Sequence, residues 1–122
     1  MKNVIVTGGG SGIGRAICQR LAEDGNHVVI IDLDEGAGTE TVGLIKEAGG
    51  SAECLACDVS STESVQEVFA GILRIDALVN CAGIVREQPL LESSGADFDK
   101  IIGVNLRGTF LVGREAIRWM CT

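Results

Sequence analysis

Thr7-Gly8-Gly9-Gly10-Ser11-Gly12-Ile13-Gly14 follows the apolar run Asn3-Val4-Ile5-Val6 and leads into Arg15 to Glu23, a stretch patterned as a helix. Strand, glycine turn and helix in that order make a unit suited to a dinucleotide. Glycines let the chain turn sharply and let backbone approach a pyrophosphate, while the helix start offers unpaired N–H groups and a positive dipole end. The spacing of Gly8, Gly12 and Gly14 is G-x-x-x-G-x-G, and no window fits G-x-G-x-x-G. A P-loop nearly fits, since Gly9 and Gly14 have the right separation. However, Arg15 and Ala16 stand where its lysine and magnesium-binding Ser/Thr belong, which argues against nucleoside triphosphate hydrolysis. A turn that merely packs a helix on a strand is the plainer alternative.

Cys54 and Cys57 form C-x-x-C, a spacing used for zinc and for dithiol chemistry. They lie in Ser51-Ala52-Glu53-Cys54-Leu55-Ala56-Cys57, which reads as a strand, where residues three apart point to opposite faces. No second C-x-x-C follows, and His27 is the only histidine. No metal site is expected. His27 begins a strand and reads as a surface residue, and Ser93 and Ser94 read as loop or cap residues.

The elements that must position these residues alternate. Strands are expected at about 2–7, 27–32, 52–57 and 76–81. Between them Ile13, Ile17 and Leu21 share one helical face, as do Val42, Ile45 and Ala48, then Val65, Val68, Phe69 and Ile72, and each stripe is expected to cover the sheet. Gly25, Gly49-Gly50 and Ser60-Ser61-Thr62 with Glu63 punctuate these helices. Residues 84–94, with the only proline at Pro89, read as a loop, and one long helix is expected from about Ala96 to Trp119. This pattern is α/β: a Rossmann-like parallel sheet in the order 3-2-1-4 with flanking helices.

The 122 residues form one domain, yet a doubly wound dinucleotide fold needs roughly twice that length, so only one βαβαβ half fits and the sheet is expected to be truncated. A 46% hydrophobic and 22% charged composition is ordinary for a globular protein. The net charge of −7 argues against nucleic acid or an anionic membrane as partner. No apolar run approaches the ~18 residues of a membrane span, and the start lacks a signal-peptide pattern, so a cytoplasmic protein is expected. Five cysteines, an odd number, fit reduced thiols.

At this point the sequence resembles the short-chain dehydrogenase/reductase family. Thr7 to Gly14 matches its T-G-x-x-x-G-x-G turn, Asp58-Val59 its acidic residue after the third strand, and Asn80-Cys81-Ala82-Gly83 its N-N-A-G. Asn105, in Val104-Asn105-Leu106-Arg107-Gly108, matches the asparagine of its fourth helix. The order and spacing are the family's, almost from end to end.

The resemblance implies a site. The amides near Ser11, Gly12 and Ile13 would hold a pyrophosphate, Asp58 would meet the adenine amino group, and Val59 would pack beside the ring. Asn80, Ala82 and Gly83 would line the cleft at the carboxyl ends of the strands. Asp32 closes the second strand, where an acid can accept hydrogen bonds from both adenosine ribose hydroxyls and repels a 2′-phosphate. Ser11 and Leu33 occupy places where NADP-preferring relatives tend to carry Arg or Lys, so NAD is expected over NADP. Asp34 adds negative charge, or is simply a solvated acid. Cys81 replaces the family's second asparagine and reads as an ordinary buried cysteine.

In the family a serine and a Y-x-x-x-K pair beyond the asparagine helix carry the chemistry, whereas this sequence has no tyrosine. Asn105 resembles a member of the catalytic set, where it helps hold a water in a proton relay to the lysine. Its alternative is a structural asparagine bridging helix backbone to a neighbouring strand. Three functions stay open: the NAD-binding part of an oxidoreductase, a non-catalytic nucleotide-binding or interaction module, and a fragment without a function of its own. Self-association is expected, because strand four is left as a sheet edge and the terminal helix carries more apolar residues than one face can bury.

Overall fold

The computed structural model of the chain describes residues 1–121. Four parallel strands, β1 (Asn3–Thr7), β2 (His27–Asp32), β3 (Ser51–Ala56) and β4 (Ala77–Asn80), pair in the order β3-β2-β1-β4. The Rossmann-like α/β fold and strand order are those expected from the sequence.

Alternation along the strands builds two core layers. Ile5, Val29 and Ile31 pack with Val65 and Phe69 of α3 (Thr62–Ala70) and with Leu111 and Val112 of α5 (Thr109–Met120). Their neighbours Val4, Val6, Val28 and Ile30 pack with Cys18 of α1 (Gly12–Glu23) and Ile45 of α2 (Glu35–Glu47). Burial on both faces is why the inner strands read as unbroken apolar runs. Cys54 falls in the α1/α2 layer and Cys57 in the α3/α5 layer, on opposite sides of the sheet. His27 is half-buried rather than fully at the surface, with Nδ1 2.6 Å from Ser51 Oγ.

The helices begin and end on local signals. Asp34, Ser61 and Ser94 accept hydrogen bonds from the amides of Ala37, Ser64 and Asp97, and Ser94 and Asp97 complete a capping box. Gly25 and Gly49, just past α1 and α2, take φ of +90° and +86°, a region that glycine enters without steric cost.

Three expectations need correction. Ile13 does not cover the sheet: it is 75% exposed, because the first turn of α1 projects past the strand ends, and only Ile17 and Leu21 of that stripe pack inward. Ala48 is exposed at the end of α2. The single terminal helix is three pieces: α4 (Gly95–Ile102), a π-helical segment (Gly103–Gly108) and α5. Such a segment usually answers a local demand. Here it carries Asn105 and ends on Gly108, where a Cβ would lie 2.7 Å from Val59 Cγ2. The loop before α4 also contains a short 3₁₀ turn, Leu90–Glu92.

The start of β4 is pinned to the start of β1. Asp76 N donates to Asn3 O at 2.9 Å, and Asn3 N donates to Asp76 Oδ2 at 2.7 Å. The Asn3 amide, and then Arg74, hold the Asp76 carboxyl below the usual aspartate range. The contribution to stability is thus present above the ordinary value and lost as pH falls through the folded-state value. Asp76→Asn should be less stable than the parent at neutral pH, and the difference should close on acidification below about pH 4. Thermal unfolding across pH checks this; a difference independent of pH would contradict it.

Candidate functional site

The carboxyl ends of all four strands meet on one side of the sheet. Thr7 is level with Ile31 and Asn80, and Asp32 with Ala56. The segments leaving these ends enclose an open cleft of about 370 Å³. Its wall is made by the glycine turn and first turn of α1, by Asp32 and Leu33, by Cys57 to Val59, by Cys81 to Ile84, and by Val104.

The glycine turn is shaped by close approach. A Cβ on Gly14 would collide with the carbonyl oxygen of Gly8, so helix and strand end meet backbone to backbone. Gly8 itself has φ +68°, and a Cβ there would lie 2.8 Å from the Ala82 Cα. Thr7, buried, accepts hydrogen bonds at Oγ1 from the amides of Cys81 and Ala82, both at 3.0 Å. That draws the segment after β4 over the turn.

Ser11 is the N-cap of α1, and unlike Asp34, Ser61 and Ser94 its side chain makes no cap hydrogen bond. The first-turn amides, Gly12 to Gly14, therefore keep their donors for something outside the helix. Gly12 has φ +53°, with open space where a side chain would be. Aligned donors and the positive end of the helix dipole make this a seat for an anion.

Asp32 stands beside it. Its Oδ2 accepts from Gly10 N and its Oδ1 from Asp34 N, both at 2.9 Å. A carboxylate has about four acceptor positions, so two remain for a ligand after these bonds fix its plane. Asp58 is similarly oriented: Oδ1 accepts from Ser60 N at 3.0 Å and from Ser60 Oγ at 2.6 Å.

Eleven of the residues expected to bind cofactor line this cleft: Gly8, Ser11, Gly12, Ile13, Gly14, Asp32, Leu33, Asp58, Val59, Ala82 and Gly83. Asn80 does not. Alternation along β4 turns it with Leu78 toward α5, where it is exposed and its Nδ2 is 3.4 Å from Thr109 O. Asn105 stands behind the wall. Its Oδ1 accepts from Ile84 N and its Nδ2 donates to Ile84 O, both at 2.8 Å, so it bridges the helix to the segment after β4. Burial pushes the Cys18 thiol up to about 12 and raises those of Cys54 and Cys57, which keeps all three protonated and poor nucleophiles at neutral pH.

Sequence reasoning missed the supports of the turn. Thr41, fully buried on α2, donates through Oγ1 to Gly9 O at 2.9 Å and accepts from Arg15 Nε at 2.9 Å. Arg15 Nη2 also reaches Gly10 O, at 2.6 Å. The signal was a threonine on the same helical face as Gly38 and Ile45. Arg107 donates to Ser60 O at 3.1 Å and to Thr62 Oγ1 at 2.8 Å, fastening the loop that carries Asp58.

The short chain dehydrogenase family model matches residues 2–122. The short-chain reductase protein NovJ of Streptomyces niveus is 42% identical over 93% of this chain and 47% of its own length. Human (3R)-3-hydroxyacyl-CoA dehydrogenase is also 42% identical, over 92% of this chain and 48% of that protein. Among solved structures, a citronellol catabolism dehydrogenase from Pseudomonas aeruginosa superposes with a TM-score of 0.90 at 41% identity, over 96% of this chain and 49% of the other. The chain spans about half the length of the relatives it matches.

Thr41→Val keeps the shape of the clamp and removes its hydroxyl, leaving the Gly9 carbonyl and Arg15 Nε without this partner. The expected cost is about 1–3 kcal/mol in urea unfolding. A change below about 0.5 kcal/mol, the scatter of ordinary surface substitutions, would contradict the clamp.

Proposed function

The chain belongs to the short-chain dehydrogenase family, and from that premise we propose that it binds NAD in this cleft as the cofactor-carrying part of an oxidoreductase. The observation that carries the proposal is Asp32, fixed by two backbone amides beside an uncapped helix start. Two adjacent ribose hydroxyls match its two remaining acceptor positions. A 2′-phosphate would meet the same charge without a compensating cation, since Ser11 and Leu33 are uncharged. Arg15 is engaged by Gly10, Thr41 and Glu40.

In this reading the amides of Gly12 to Gly14 hold the pyrophosphate, Asp58 receives the adenine amino group, and Val59 and Ile13 exclude water from the rings. Ala82 and Gly83 shape the wall, with Asn105 positioning it through Ile84. The bound nicotinamide supplies hydride chemistry toward an alcohol or carbonyl. These 122 residues hold no tyrosine, and the Y-x-x-x-K pair of the resemblance is not among them. Alone they are proposed to bind without turning over. The five free cysteines support a reducing, cytoplasmic setting.

Self-association is part of the proposal. Phe98, Leu106, Phe110 and Ile117 recur along α4 to α5, each about 60% exposed. Burying four such side chains is worth about 6–12 kcal/mol at ~1.5–3 each, comparable to the net stability of a domain. Among the described residues β4 pairs only with β1, and a sheet edge of this kind can pair with another chain. The exposed stripe also favours the second reading, a non-catalytic module that docks on a partner.

By calorimetry NAD should bind more tightly than NADP by about tenfold or more, as expected for hydrogen bonds to a charged group, and Asp32→Ala should narrow that gap. Equal affinities in the parent chain would refute the role of Asp32. Light scattering at micromolar concentration should give a dimer or larger assembly, shifted toward monomer by Phe110→Glu. A monodisperse monomer with cooperative unfolding would remove the self-association proposal.

A further inference from the structure

Beneath the glycine turn, the peptide unit between Gly9 and Gly10 is held at both ends. Its oxygen, Gly9 O, accepts from Thr41 Oγ1 at 2.9 Å, and its N–H, on Gly10, donates to Asp32 Oδ2 at 2.9 Å. A trans peptide is planar with C=O and N–H pointing in opposite directions, so a grip on the oxygen fixes where the N–H is aimed. Thr41 is buried and does not line the cleft. Its hydroxyl is itself oriented, because Arg15 Nε donates to Oγ1 at 2.9 Å and leaves the hydroxyl hydrogen for a carbonyl. Gly9 O, at 2.9 Å, is the nearer acceptor; Ala37 O lies at 3.3 Å. The other oxygen of Asp32, Oδ1, is fixed from the far side by Asp34 N.

We propose that Thr41 is a positioning residue for cofactor choice, acting through the Gly9–Gly10 peptide on the plane of the Asp32 carboxylate. The inference rests on the reading of the cleft as an NAD site. Pairing one carboxylate with two adjacent ribose hydroxyls depends on the plane of that carboxylate, whereas repulsion of a 2′-phosphate depends on its charge and little on its orientation. The terminal torsion of an aspartate is broad, so the plane is set by partners rather than by the side chain itself. Without the Thr41 hydroxyl, Gly9 O is released, the Gly10 N–H turns away from Oδ2, and the carboxylate rotates out of register with the hydroxyls. The preference for NAD then narrows from one side only: NAD is lost, and NADP gains nothing because the charge remains. Removing the carboxylate itself narrows the gap from both sides.

Titration calorimetry with NAD and with NADP tests this on the parent chain, Thr41→Val, Thr41→Ser, Asp32→Ala and the double variant of Thr41→Val with Asp32→Ala. Thr41→Val should weaken NAD about tenfold, the loss expected for one hydrogen bond to a charged group, and leave NADP unchanged. Thr41→Ser keeps the hydroxyl and should keep the parent ratio. Thr41→Ala, a second variant without the hydroxyl, should behave as Thr41→Val. On the Asp32→Ala background Thr41→Val should leave the ratio where Asp32→Ala alone puts it, since its only route to the ligand is gone. A general loosening of the fold would weaken both cofactors alike. Equal losses for NAD and NADP, a parent ratio retained in both Thr41→Val and Thr41→Ala, or a selective loss that persists without Asp32 would overturn the inference. If Asp32→Ala narrows the gap while Thr41→Val and Thr41→Ala do not, the NAD reading stands and the role of Thr41 falls; equal affinities in the parent chain remove both.

Discussion

The contact of Gly14 with the Gly8 carbonyl sets the geometry on which the cleft depends. With no side chain on Gly14, the first turn of α1 can lie directly on the end of β1, and a single methyl group would force the two apart. That proximity brings Gly12 to Gly14 to the wall of the cleft, with the helix start uncapped by Ser11. The cost of so much glycine is conformational entropy, and the fold offsets it with fixed partners. Gly9 and Gly10 have their carbonyls held by Thr41 and Arg15, and Gly10 its amide held by Asp32. A loop that reads as flexible is thereby tied to α1, α2 and β2.

The same economy operates on the far side of the cleft. Thr7 draws the Cys81–Ala82 backbone over the turn, Asn105 grips Ile84, and Arg107 with Gly108 seats the Val59 segment against the π-helical turn. Most of these supports are side chain to backbone bonds. They position main chain, and main chain together with Ser11, Asp32 and Asp58 forms the polar surface of the site. A protein with a net charge of −7 can in this way present a local seat for an anion, because the helix amides supply the positive potential that the side chains do not.

What the sequence revealed and what it hid follow from period and range. Apolar strand runs and helical stripes are local, and together with the right-handedness of crossovers they yielded the sheet and its order. Gly8, Gly14 and Asp32 were legible because only certain residue types tolerate their surroundings. Asn80 was misplaced because motif position says nothing of parity, and parity in β4 turns it toward α5. Ile13 was misread because apolar periodicity cannot tell where a helix runs past its sheet. The π-helical segment leaves the apolar pattern almost intact, and Thr41 with Arg15 is a long-range pairing across 26 residues that no local rule contains.

The uncapped start of α1 and the carboxylate of Asp32 are proposed to act together as one ligand seat. Backbone amide exchange with and without saturating NAD distinguishes one seat from two unrelated features. Protection should appear at Gly12, Ile13 and Gly14 and at the Asp32–Leu33 step, with little change at α3. Protection absent from the first turn of α1, or present there without any at Asp32–Leu33, would show that the two do not form one seat.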